Sequence, residues 1–306
     1  MGTVGFIGLG AMGSRMARNL IKTGRKLILY DLEPERIEAV VKKDPSSRQS
    51  GVEAISANSI YEVASESSTI ITMLPNSKDV FNCYKRILPH FRQEKILCID
   101  SSTIDPFTTK EIYQFLTQKD NNNVEFVDAP VSGGVTGAQS GTLTFMVGGT
   151  IEEFIKVKPI LSSMGRNIVH CGPVGSGQVA KICNNLLAGI SMIGTSEAFI
   201  LGEKLGIHKD TLFKVLKTKE TKSWTTDTYC PVDGLIEGIP SSRGYKDGFA
   251  CGLMAKDLEL AKSLGRKIDV PLMLGSIAGE IYKTLANNKD FKHLDFGVVY
   301  KFLKGN

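Results

Sequence analysis

Lys181 and Asn185 stand four residues apart in the stretch GPVGSGQVAKICNN, among Val179, Ala180, Ile182, Cys183, Leu186 and Leu187. On a helix these two side chains lie one turn apart on the same face. Most lysines at such places snorkel to solvent along an apolar surface. A lysine turned into a cleft behaves differently, because desolvation or a second cation lowers its pKa from the usual value near 10.4. Such an amine exchanges a proton with an alcohol near neutral pH, and an amide one turn along holds the alcohol or the lysine in line.

The N-terminal stretch GFIGLGAMGSRMARNL places Gly8, Gly10 and Gly13, with Leu9, Ala11 and Met12 between them, after a strand-like run and before a helix-like one. The first glycine suits a tight turn and the second admits a pyrophosphate to the backbone. The third lets the helix pack on the sheet, its N-terminus facing negative charge. Asp31, in LILYDLEPER, has the place of a carboxylate that accepts from both ribose hydroxyls and repels a 2′-phosphate, which favours NAD over NADP. Arg36 lies close enough to leave the second cofactor open.

Three further groups end strand-like runs. Leu74 and Pro75 in TMLPNSKDV, and Thr103 in DSSTIDP, could line a cofactor at the carboxyl ends of strands. Serine, threonine and proline are equally ordinary as turn and cap residues there. In VDAPVSGGVTGAQSGTL, Ser132 precedes Gly133 and Gly134, so a hydroxyl and two uncovered amides can converge on one anion such as a carboxylate. A plain glycine turn is the alternative. In FACGLMAKDLELA, Lys256 and Asp257 interrupt an apolar helical face, as a cofactor contact, a second cation near Lys181, or a surface pair. Trp224, the only tryptophan, reads as core or interface.

The elements that must position these residues follow from periodicity. Strands are expected at Thr3–Leu9, Lys26–Asp31, Ser68–Leu74, Ile96–Asp100, Val124–Asp128, Leu143–Val147 and Asn167–His170. Amphipathic helices are expected between them at Ala11–Lys22, Glu33–Lys43, Ser77–Leu88, Pro106–Lys119 and Ile151–Ser162. Short unalternated apolar runs such as STIITML suit parallel strands covered on both faces, so the chain reads as α/β with an N-terminal Rossmann-type doubly wound sheet. The pattern changes near Gly172. Residues 178–206 read as one long helix, apolar almost all round and hence buried against several partners. Helices at Lys209–Lys217, Gly252–Leu264, Leu274–Asn287 and Phe296–Leu303 follow. The expected division is a dinucleotide domain at 1–171 and a helical substrate and oligomerisation domain at 172–306.

Composition narrows the remaining possibilities. The net charge of +5 is spread along the 306 residues, so no nucleic-acid partner is expected. The six cysteines have no CxxC or paired spacing and read as reduced thiols, and four scattered histidines support no metal site. No uninterrupted apolar run has the length of a membrane span, and the first one carries nucleotide-loop glycines, not a signal peptide. The chain starts on its first strand, so no presequence is expected within it.

In their order and sequence, GFIGLGAMG, DSSTIDP, DAPVSGGVTGAQSGTLTFMVGG, GPVGSGQVAKICNN and LMAKDLELA resemble the β-hydroxyacid dehydrogenases over nearly the whole chain. The similarity is greatest to the branch that oxidises 3-hydroxyisobutyrate to methylmalonate semialdehyde in valine breakdown. It implies that Gly8, Leu9, Gly10, Ala11, Met12, Gly13 and Asp31 hold NAD, with Leu74, Pro75, Thr103 and Lys256 also near it. It implies that Ser132, Gly133, Gly134 and Asn185 bind a small 3-hydroxy acid and that Lys181 is the catalytic acid/base. A homodimer or homotetramer is implied too, as is the mitochondrial matrix in a eukaryote or the cytoplasm otherwise. Asp79 departs from the asparagine or other polar residue expected near the cofactor. Reductases of tartronate semialdehyde, succinic semialdehyde or glyoxylate remain alternatives. A 6-phosphogluconate enzyme would need an evident arginine cluster, and the non-catalytic relatives lack the lysine that this chain keeps.

Overall fold

The computed structural model describes residues 2–42, 54–91, 95–118 and 123–305. It has two compact units, Met1–Lys181 and Ile182–Asn306. The first is built on a nine-stranded sheet: β1 (Val4–Ile7), β2 (Leu27–Tyr30), β3 (Ala54–Ser56), β4 (Thr69–Thr72), β5 (Ile96–Asp100), β6 (Val124–Asp128), β7 (Val131–Ser132), β8 (Leu143–Gly148) and β9 (Gly165–Gly172). The strand order is β3-β2-β1-β4-β5-β6-β8-β7, with β9 on β8. From β3 to β6 all pairs are parallel. β8 then runs antiparallel to β6 and β7, so the expected parallel sheet carries a mixed edge.

The strands lack polar alternation because both sheet faces are covered. Phe6, Leu29, Ile71, Ile99 and Val127 enter one core, and their chain neighbours Ile7, Ile28, Ile70, Cys98 and Phe126 enter the other. Burying a large apolar side chain contributes ~1.5–3 kcal/mol, so this double coverage dominates the unit's stability. The order reverses at β1, where β2 lies on one side and β4 on the other, so the crevice at the strand ends opens beside the glycine loop. Five expected helices are present at Gly13–Lys22, Pro34–Lys42, Ser77–Ile87, Pro106–Leu116 and Ile151–Leu161. The expected ends at Lys43 and Lys119 lie outside the described residues.

The second unit is helical throughout its described elements. The long helix spans Ser176–Lys204 and is joined by Lys209–Leu216, Trp224–Asp227, Cys251–Lys267, Met273–Asn287 and Val299–Lys304. Met192, Ile193, Met254, Leu258, Tyr282 and Phe296 belong to its main core. The long helix has the length and apolarity of a membrane span. Its buried Lys181, Asn185, Thr195 and Ser196, and its core residues Met192 and Ile193, read it instead as the spine of a folded unit. Within the single chain the long helix is not covered all round. Val179, Cys183, Leu187 and Leu201, spaced by whole helical turns, are exposed along one stripe.

Candidate active site

The glycine loop leaves β1 at Gly8, whose φ of +96° is one that only glycine adopts without strain. A side chain at Gly13 would come within 1.9 Å of the Gly8 carbonyl oxygen, while one at Gly10 would meet nothing within 4 Å. The loop is therefore tight where the helix packs on the strand and open where a phosphate approaches. The helix Gly13–Lys22 carries no acid in its first turn, so its positive end is left for an anion. Asp31, just beyond β2, accepts from the Leu9 amide at 2.6 Å and from the Glu33 amide at 3.0 Å. The carboxylate is thus fixed against the loop. Arg36 lies 3.5 Å from Asp31 and 2.8 Å from Glu33, so its charge is engaged by two acids. Together these groups fit a dinucleotide's diphosphate and its adenosine ribose.

The next two strand-end loops are tied to each other. Leu74 donates its amide to Ser102 Oγ at 2.9 Å, and Ser102 Oγ donates to Asp100 Oδ1 at 2.6 Å. Thr72 Oγ1 donates to the same oxygen at 2.8 Å and meets Tyr84 Oη at 3.1 Å. Burial pushes the Asp100 carboxyl up to about 7 against the pull of the Ser102 and Thr72 hydrogen bonds. Leu74, Pro75 and Thr103 therefore sit on loops held by a buried network that sequence reading did not reveal. Asp79 proves to be a helix-start residue. Its amide and carboxylate pair with Asn76, the N-cap, at 3.0 and 2.8 Å.

Ser132 lies on β7 opposite Thr144, and Gly133 and Gly134 follow with φ of +127° and +61°. A short helix, Gly134–Ser140, begins there, so the diglycine is a built turn into a helix. Lys181 is 7% exposed, which removes the solvated-surface reading. The start of its helix is anchored within the first unit. Asp128 accepts from the Gly175 amide at 2.7 Å and from the Gln178 amide at 2.9 Å.

Asn185 is 5% exposed and donates Nδ2 to Asp257 Oδ2 at 2.5 Å. Asp257 is itself buried and lies 3.3 Å from Lys256 Nζ. The Lys256–Asp257 step is therefore no surface pair: one member faces inward and orients the Asn185 amide. Sequence reading missed that function, because the partner is 72 residues away. Trp224 is 46% exposed, with one face stacked on Tyr229 at 4.4 Å, so it is not a core residue of this chain.

Known proteins resemble this chain over nearly its whole length. Residues 3–172 match the family described as the NAD binding domain of 6-phosphogluconate dehydrogenase. Residues 175–303 match the one described as NAD-binding of NADP-dependent 3-hydroxyisobutyrate dehydrogenase. The mitochondrial 3-hydroxyisobutyrate dehydrogenase of Rattus norvegicus is 45% identical over 98% of this chain and 87% of its own length. That of Homo sapiens is 44% identical over 98% of this chain and 86% of its own. The solved Mycobacterium tuberculosis 3-hydroxyisobutyrate dehydrogenase with L-serine superposes with a TM-score of 0.88 at 37% identity, covering 99% of each chain. The chain belongs to the 3-hydroxyisobutyrate dehydrogenase family of oxidoreductases that use a nicotinamide dinucleotide.

Proposed function

We propose that this chain oxidises 3-hydroxyisobutyrate to methylmalonate semialdehyde with NAD as the acceptor, with Lys181 as general acid/base. The observation that carries the reading is the buried Lys181 on a helix whose first turn is hydrogen-bonded into the dinucleotide unit. Bound NAD supplies a hydride acceptor for the hydroxyl-bearing carbon. Lys181, as the free amine, takes the hydroxyl proton as the carbonyl forms, and the resulting ammonium returns that proton to solvent. The alcohol thus loses one hydride and one proton, and no further reactant is needed. Ser132 and the amides of Gly133 and Gly134 receive the substrate carboxylate. Asn185, oriented by Asp257, holds the hydroxyl end in line. Holding the reacting carbon and the amine in place supplies much of the rate.

Gly8, Leu9, Gly10, Ala11, Met12, Gly13 and Asp31 hold the dinucleotide, with Leu74, Pro75, Thr103 and Lys256 beside it. One matching family is described as NADP-dependent, whereas Asp31 would repel a 2′-phosphate and Arg36 is paired with two acids. The geometry at Asp31 belongs to this chain, so we read NAD as the preferred form. Residues 1–171 carry the cofactor function, and 172–306 the substrate and assembly functions. The exposed apolar stripe of the long helix supports a homodimer or homotetramer, and the mitochondrial relatives support the matrix, with valine breakdown as the setting.

Absorbance at 340 nm with NAD or NADP and a panel of hydroxy acids tests the reading. 3-Hydroxyisobutyrate with NAD is expected to give the highest kcat/KM. Faster turnover of glyoxylate or tartronate semialdehyde with NADPH would replace it with a reductase.

A further inference from the structure

We propose that Gln178 is a positioning residue that fixes the loop carrying Thr103 and the helical turn carrying Lys181 to each other. The inference rests on the reading of Lys181 as the acid/base. Gln178 has no exposed surface, and its side-chain oxygen, side-chain nitrogen and backbone amide are each hydrogen-bonded. Its Nε2 donates to the Ser102 carbonyl at 2.8 Å, and its Oε1 accepts from the Ile104 amide at 3.1 Å. The side-chain amide thereby grips the loop on both sides of Thr103, as an adjacent strand would. Its own backbone amide donates to Asp128 Oδ2, which also anchors the turn before the helix. Gly177 leaves room for this anchor, since a Cβ there would lie 2.8 Å from Asp128 Oδ2 and 2.2 Å from the Met146 carbonyl.

Lys181 follows three residues later, on the same helical face as Gln178. A shift of the helix start against the loop therefore changes the position of the amine relative to anything bound beside Thr103. Glutamine suits this clasp because one planar group offers a donor and an acceptor. Methionine fills nearly the same volume and offers no hydrogen-bond donor.

The experiment compares wild type with Gln178→Met, Gln178→Glu and Lys181→Ala. Steady-state rates are measured with NAD and 3-hydroxyisobutyrate, both unlabelled and deuterated at the hydroxyl-bearing carbon, beside NADH titration and thermal melting. Misplacement of reacting groups by a remote change costs up to ~10²-fold, so Gln178→Met is expected to lower kcat by ~10–100-fold. The isotope effect on kcat should rise, while the NADH Kd should stay within ~3-fold, because the glycine loop at Gly8–Gly13 and Asp31 are untouched. Gln178→Glu keeps an acceptor for the Ile104 amide and is expected to recover part of the rate. A Gln178→Met enzyme with wild-type kcat and isotope effect, beside an inactive Lys181→Ala, overturns this inference alone. An active Lys181→Ala overturns the reading beneath it as well. Should Gln178→Met fail to fold, Gln178→Glu carries the same comparison, and a wild-type kcat and isotope effect in it count against the clasp.

Discussion

The first unit covers most of its apolar surface, with Leu32 and Ile155 among the exceptions, whereas the smaller second unit leaves much of its own uncovered. Both faces of the sheet are sealed by helices, with Phe6, Phe126 and Phe145 fully buried. In the second unit Leu187, Leu205, Met273, Leu274 and Ile277 are all more than half exposed. The difference extends to the proposed functional groups. The first unit offers backbone amides and loop geometry at strand ends, held by Asp31, Asp100 and Asp128. The second offers side chains on helices, namely Asn185 and Lys256, set by Asp257. A unit that works through backbone placement has to be rigid and self-sufficient. One that works through helix faces can leave part of its cover to another subunit.

The sharpest way to break this contrast lies at the junction. Lys181→Ala is expected to lower kcat by ~10²–10⁴-fold, the range for losing a general acid/base. NADH titration should meanwhile give an affinity near wild type, since the dinucleotide groups stay intact. Loss of NADH binding together with turnover would mean that the lysine supports the cofactor unit instead.

Single-unit substitutions should separate cofactor from substrate. Hydrogen bonds to charged groups are worth ~1.5–3 kcal/mol, so Asp31→Ala is expected to cost ~10–100-fold in kcat/KM for NAD and to relax discrimination against NADP. Asp257→Ala should instead raise the KM for the hydroxy acid by roughly tenfold, with Asp257→Asn restoring most of it, because the amide oxygen still accepts from Asn185. Were Asp257→Ala to change only the NAD parameters, Asp257 would act through Lys256 and not through Asn185. The uncovered surface has its own test. Met273→Glu combined with Leu274→Glu should shift the sedimentation coefficient toward a monomer and leave the melting of the first unit unchanged. A wild-type chain that sediments as a monomer would remove oligomerisation as the explanation for this surface.

How much of this was legible in sequence follows from the range of the forces involved. The strands of the doubly covered sheet were readable because each run must fill two cores, which leaves an unbroken apolar signature. The places of Asp31 at a strand end and of Lys181 on the long helix were readable, because local periodicity sets both. The helix Gly134–Ser140 was not, since glycine disfavours helix; tertiary contacts supply what propensity lacks, among them Asn19 Nδ2 donating to the Ala138 carbonyl at 2.7 Å. The strands β3 and β7, at three and two residues, are too short to carry a period. Gln178, and the contact of Asp257 with Asn185, escaped notice for a different reason. Their partners lie 72 to 76 residues away, and only folding brings them together.

The smallest effect concerns pH. Burial pushes Asp100 up to about 7, and Asp128 and Asp295 up to about 6, each against hydrogen bonds that pull the other way. An unfolded aspartate titrates near ~3.9, so between about pH 4 and 7 the folded chain holds more protons than the unfolded one. Stability therefore falls as pH rises through that window: the full contribution is present below about pH 4 and is gone above about pH 7. Glu203, pushed up by partial burial but drawn lower overall by Lys304 and Tyr300, acts below the usual glutamate range and does not offset this between pH 5 and 7. Asp100→Asn keeps an oxygen for Thr72 and Ser102 and removes the titration. It should flatten the decline in urea midpoint between pH 5 and 7.5, where one proton accounts for at most ~1.4 kcal/mol per pH unit. An unchanged slope in Asp100→Asn would assign the decline to Asp128 and Asp295, one in each unit, and the closed unit would then lose its larger share of the pH response.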